Sequence, residues 1–170
     1  MSEPDESRAA ACVSIVWLLL INKPVYPLYV WVLIGADAAK RSIGTLALVP
    51  LYAALLVLAR RSPRAARIAL PLVGLADTLY ATKLMGPETG TELFFIACGL
   101  LAVVCFRASE ATIARALVVV VFLAFAVLHG RYGAPLQAFS VEEAATLFTL
   151  NLYGAASLAA FIGLRFAPLT

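Results

Sequence analysis

Charge is what this chain has least of. Lys, Arg, Asp and Glu make up 14% of its 170 residues, where a soluble domain carries about 25%. With 63% hydrophobic residues and a mean hydropathy of +0.95, a soluble fold would have nowhere to put the apolar excess. Histidine occurs once and cysteine three times. A single His without a Cys cluster gives haem or zinc little to bind, and Cys12, Cys98 and Cys105 form no CxxC or other metal spacing. No metal or other cofactor is therefore expected. Cys98 and Cys105, seven apart on one helix face, read as small packing residues. No GxSxG, HExxH, Walker or paired-carboxylate arrangement occurs, so no catalytic residue is assigned and the chain alone is expected not to be an enzyme. A net charge of +3, broken up by apolar runs, excludes nucleic acid as a partner. Alternation of polar and apolar residues over ten-residue blocks is missing, which argues against a β-barrel.

What is present is a series of long apolar runs, so the lipid bilayer is the expected partner. At roughly 20 residues per span, the length allows six or seven helices and no soluble catalytic domain. Turn and charge punctuation marks six segments, at residues 10–36, 43–59, 68–84, 91–106, 113–129 and 141–166. The expected fold is all-α, a polytopic membrane helix bundle with about six transmembrane helices over residues 10–166. Residues 1–9 form a cytoplasmic tail and residues 167–170 a cytoplasmic C-terminal end. The start MSEPDESR lacks the basic region of a cleavable signal, so the first segment is expected to be retained. That segment contains Lys23, Pro24 and Pro27 and is read as one kinked helix, which neighbouring helices make tolerable. An interfacial helix followed by a span over residues 24–39 is the alternative. Six spans with the N-terminus inside put eight Arg on the inner side and four Lys or Arg on the outer, Lys23 aside. The strongest signal is Arg60-Arg61-x-x-Arg64-x-x-Arg67, read as a cytoplasmic loop.

Three polar residues fall at mid-depth. At about 1.5 Å per residue, Asp77 lies roughly 13 Å from Ile68, Asn151 roughly 15 Å from Val141 and Lys23 about 20 Å from Ala10. An ionisable group there costs on the order of 2.5 to 3.5 kcal/mol on insertion scales, so such groups pair or line cavities. Lys23, Asp77 and Asn151, with the nearby hydroxyls of Tyr26 and Tyr80, are the candidate ligand-binding residues. The same residues serve a purely structural reading, as an ion pair and an Asn hydrogen bond that hold helices together. In the last segment Ala155, Ala159 and Gly163 stand four apart, a small-xxx-small stripe that fits packing within the chain or the seam of a homodimer. Ser140 with Glu142 and Glu143 reads as the capped start of that helix.

The run Leu84-Met85-Gly86-Pro87-Glu88-Thr89-Gly90-Thr91-Glu92-Leu93-Phe94-Phe95 resembles the six-helix membrane input domains of bacterial class III adenylate or guanylate cyclases and related sensor kinases. Those domains often carry Gly-x-x-x-Gly-x-x-x-Phe-Phe at the start of the fourth helix, an arginine-rich second loop, here Arg60 to Arg67, and an asparagine in the last helix, here Asn151. The resemblance covers most of residues 10–166. It implies a non-catalytic sensor or anchor in the bacterial inner membrane, homodimeric, taking a small lipophilic signal and passing it to a cytoplasmic effector domain. A small transporter or channel subunit that uses Asp77 and Lys23 is the competing reading from the residues. A lipid-modifying membrane enzyme ranks last, for want of a nucleophile or metal site.

Overall fold

A computed structural model describes residues 3–167, and the side chains of residues 7–167. Among them all regular structure is helical. The α1 helix runs from Glu3 to Leu33 and α2 from Ala36 to Ser42; a 3-10 stretch, Ile43–Leu48, joins α2 to α3, Val49–Arg61. The remaining helices are α4 (Pro63–Met85), α5 (Phe94–Val104), α6 (Ala111–Leu128) and α7 (Val141–Phe166). Five stretches are long and apolar enough to cross a membrane: Ser7–Leu33, Ala36–Arg61, Pro63–Met85, Ala108–Leu128 and Val141–Phe166. The sixth apolar helix, Thr91–Val104, is shorter. At about 1.5 Å per residue it reaches roughly 21 Å, less than a core of about 30 Å. It sits against α4, α6 and α7, with Phe95, Ala97, Cys98, Leu101 and Ala102 buried.

Several boundaries differ from the sequence reading. The expected tail at residues 1–9 is helical from Glu3, so α1 continues through it. Most of the expected C-terminal end, residues 168–170, lies outside the described residues. Both Pro24 and Pro27 lie inside an unbroken α1, as the single-helix reading expects. The Arg60 to Arg67 segment is not a loop: α3 ends at Arg61, α4 begins at Pro63, and one residue joins them. Ser62 makes this sharp turn possible because it is extended, with φ −149° and ψ 91°, and its hydroxyl accepts from the Ala65 N–H at 3.4 Å. Pro63 at the first helical position has no N–H to leave unsatisfied. Ser140 caps α7 as expected, in a reciprocal box with Glu143.

Gly86 and Gly90 have a structural reason. Their φ values are 92° and 77°, in the region that side chains with a Cβ rarely adopt. A Cβ on Gly90 would also stand 3.2 Å from the Phe148 backbone. The two glycines turn the chain tightly between α4 and α5 and let α7 pack against that turn.

The first and last helices meet at one end of the bundle, where Arg165 donates to the Ser14 hydroxyl at 2.7 Å and Arg8 to the Val104 carbonyl at 2.6 Å. At that end Arg67 is buried, 5% exposed. Its guanidinium forks onto Glu110 at 2.9 and 3.3 Å and donates to the Cys105 carbonyl at 3.0 Å. A bidentate pair of this kind is directional and strong. At the opposite end Arg41 reaches Glu143 at 2.5 Å, and Lys83 donates to the carbonyls of Tyr132 and Ala134, both at 2.8 Å. The loop of residues 129–140 is thereby laid over the end of α4.

Removing Glu110 deprives a buried cation of its bidentate partner. Glu110→Ala is expected to cost about 3 kcal/mol or more, whereas Arg64→Ala, which removes a mostly exposed partner of the same carboxylate, should cost under about 1 kcal/mol. Thermal melts in detergent compare the two, and equal losses would count against Arg67–Glu110 as the anchor of this end.

Candidate functional site

Pro24 and Pro27 have no N–H to return to the carbonyls of Leu20 and Lys23, so the backbone around Lys23 is held more weakly than the rest of α1. From there Lys23 reaches across to α4, where its ammonium forms an ion pair with Oδ1 of Asp77. A second N–H of the ammonium donates to the Thr45 carbonyl at 3.0 Å. Thr45 belongs to the 3-10 stretch between α2 and α3, a tighter winding that often marks a functional position within a longer helical run. The other carboxylate oxygen, Oδ2, accepts from the Tyr52 hydroxyl of α3 at 3.0 Å. Tyr52 is 1% exposed, and the Lys23 ammonium also stands 5.9 Å from its ring centre, at the limit of a cation–π contact. Four elements thus converge on one pair of opposite charges whose sum is zero.

The pair lies on the wall of a cavity of about 110 Å³ lined by α1, α3, α4, α5 and α7. A site needs only about 10–15 Å³ by this measure to hold a water, so there is room for a small molecule. Most of the wall is apolar, from residues such as Leu70, Ala97, Leu101 and Leu158. Toward the end carrying residues 129–140, Asn151 is 2% exposed and donates to the Thr89 carbonyl at 2.8 Å. The Tyr26 hydroxyl lies against the Asn151 side chain and 3.9 Å from the Met85 sulfur. Lys23, Asp77, Asn151 and Tyr26 therefore line one space, as the sequence reading grouped them. Tyr80 is not among the lining residues. Three residues on from Asp77 it is rotated around α4, and it packs against the cluster of Val30, Leu84, Met85 and Leu147.

Several lining residues went unread in the sequence. Tyr52 stands alone in an apolar run, and only its partner Asp77 gives it meaning. Thr45 acts through its carbonyl, which no side-chain pattern reveals. Asn22, beside Lys23, carried a signal that was passed over: an amide at mid-span. The cysteines also part company. Cys98 lines the cavity, whereas Cys105 meets Cys12, with sulfurs 3.4 Å apart and a sequence separation of 93.

The α7 stripe divides. Positions four apart advance by about 40° around a helix, and the residues follow that drift: Ala155 is buried within the chain, Ala159 half-buried and Gly163 exposed. The small residues that face outward are Ala156, Ala160 and Gly163. A second polar cluster lies away from the cavity, where His129 Nδ1 is 2.9 Å from Glu92 Oε2. Tyr132 joins it, and burial, then the neighbouring Glu92 charge, pushes its phenol up to about 12. Among the described residues no three His, Cys, Asp or Glu side chains converge as metal ligands would. No protein-family model, curated protein or solved structure matches the chain.

The ion pair makes a measurable prediction. Lys23→Leu and Asp77→Leu each leave a buried charge without its partner and should each destabilise the protein by about 3 kcal/mol or more. The double substitution should recover much of that loss, because an apolar pair suits the surroundings. Thermal melts of the four proteins form the cycle, and additive losses would mean that the two side chains do not depend on each other.

Proposed function

We propose that this chain is a non-catalytic membrane sensor or anchor domain whose central cavity takes a small lipophilic ligand. The observation that carries this reading is the cavity itself: a mostly apolar space between the helices with a few polar groups on its wall, the usual composition of a small-molecule site. The two charged groups, Lys23 and Asp77, are already paired with each other, so the site presents no uncompensated charge for an ion to bind. That disfavours the competing transporter reading, in which Lys23 and Asp77 would exchange partners along a solute path. The resemblance of Gly86 to Phe95 to the input domains of membrane cyclases and sensor kinases supports the same assignment. It extends to a homodimer acting on a cytoplasmic effector, with α7 as the connecting helix. The outward small residues Ala156, Ala160 and Gly163, together with Ala159, suit a seam between two copies.

We place the chain in a bacterial inner membrane with both termini cytoplasmic. The support is charge: the bundle end that carries the termini also carries eight of the arginines, against four Lys or Arg at the other. That bias matches the rule that cytoplasmic loops are rich in Lys and Arg. A Cys at exposed Arg61 should label with an impermeant reagent only after the membrane is opened, and one at exposed Ala138 in intact cells. Reversed labelling would invert the orientation.

Ligand binding is tested with a panel of small neutral and charged amphiphiles added to the purified protein in nanodiscs. A compound that binds the folded state at 100 times its Kd stabilises it by about 2.7 kcal/mol. At least one compound should raise the melting temperature of the wild type and not that of Ala81→Leu, in which a larger side chain fills part of the cavity. Equal shifts in both proteins, or transport of the compound across liposomes, would remove the sensor reading.

A further inference from the structure

We infer that the cavity opens sideways into the bilayer beside Asn22, and that its ligand is a small neutral amphiphile that enters by that opening. This rests on the cavity being a ligand site, as proposed above. Among the residues that line it, Asn22 alone is exposed. Leu19, Lys23 and Tyr26 lie on the same stripe of α1 and are half-buried. On the facing helix Leu158 is half-buried and Asn151 and Ala155 are buried. The opening is therefore at the α1–α7 seam. Asn22 is eleven residues from Leu33 along α1, about 16 Å, which is mid-depth in a core of about 30 Å. Exposure at this depth is exposure to hydrocarbon, not to water.

The Asn22 carboxamide makes no hydrogen bond with any described residue. A polar group left unpaired in an apolar medium is costly. Its partner must come from outside the chain. Behind it, the Lys23 ammonium has used two of its three N–H bonds, on Asp77 and Thr45. A hydroxyl, ketone or amide head at the mouth can meet Asn22 and accept the third. An anion or cation would shed its hydration shell and find no counter-charge, because Lys23 and Asp77 already neutralise each other. The cavity, at about 110 Å³, is smaller than the ~150 Å³ space that accepts benzene, so the occupant is a head with a short chain.

The probe is a short-chain alcohol carrying an aliphatic diazirine, with the matching carboxylate as its charged counterpart. Each is irradiated with the protein in lipid nanodiscs, and the sites of attachment are read by peptide mass spectrometry. The alcohol should label the α4 and α5 segments around Asp77 and Leu101, and the carboxylate should label them several-fold less. Asn22→Trp, which plugs the mouth from α1, should reduce cavity labelling by the alcohol several-fold without lowering the melting temperature. If that variant fails to fold, Leu158→Trp plugs the mouth from α7 and serves in its place. Undiminished cavity labelling in the plugged protein would overturn the sideways route while leaving the ligand site standing. Equal labelling by the carboxylate would overturn the neutral class. Absence of cavity labelling by both probes would sink the ligand site and this inference with it. A Cys at Asn22 that links two copies by a disulfide would make the position a protein contact and overturn the opening.

Discussion

The bundle is organised around a single constraint: a lysine and an aspartate are paired between apolar helices, their side chains only 13% and 14% exposed. In a medium of low dielectric each charge alone is prohibitive, and together they are tolerable only with every remaining lone pair and N–H well placed. The local architecture follows from that requirement. Tyr52 of α3 takes the second carboxylate oxygen, and the 3-10 stretch that interrupts the second span turns the Thr45 carbonyl toward the ammonium. The prolines of α1 fall at and just beyond the lysine, where backbone hydrogen bonds are already missing. Stability by itself does not call for such a pair, since an apolar pair of similar volume is often as stable or more so. What the pair adds is a polar wall in an otherwise apolar space, without adding net charge.

The two ends of the bundle solve a different problem. Helix termini carry backbone groups that must find partners, and here charged side chains supply many of them. Arg8 and Arg67 donate to carbonyls at the end of α5, and Lys83 donates to the loop of residues 129–140. The short α5 is held at its termini end by these arginines. At its start the Gly86 and Gly90 turn brings it against α7.

Much of this was legible in the amino-acid order, and the reasons are physical. Apolar run length reveals a span because hydrocarbon tolerates few alternatives, and the midplane Lys23 and Asp77 stand out because a charge there is so costly. Ser140 with Glu143 was readable because a capping box is local. Arg67 was misread as a loop charge: only the fold shows Glu110 arriving from 43 residues away to bury it. Tyr52, Thr45 and the Cys12–Cys105 contact were invisible for the same reason, since each gains its role from a distant partner. Tyr80 and Ala155 show the opposite error. Both were grouped by spacing along the chain, and rotation around the helix carried Tyr80 away from the cavity and Ala155 into the chain's interior.

The proposed function depends most on α7, and its attachments are uneven. Asn151 ties its first half to the Thr89 carbonyl, and Arg165 ties its end to Ser14 of α1. Between these two points Leu158 faces the cavity, next to the small residues Ala155 and Ala159. A helix fixed near both ends and bordering an open space in the middle responds to whatever fills that space. A ligand seated between α1 and α7 would press on this middle section, and α7 could yield by bending or by releasing one of its ties. The Arg165 contact is largely exposed, whereas the Asn151 contact is buried among its partners. Of these two contacts, therefore, the one at Arg165 would be released first.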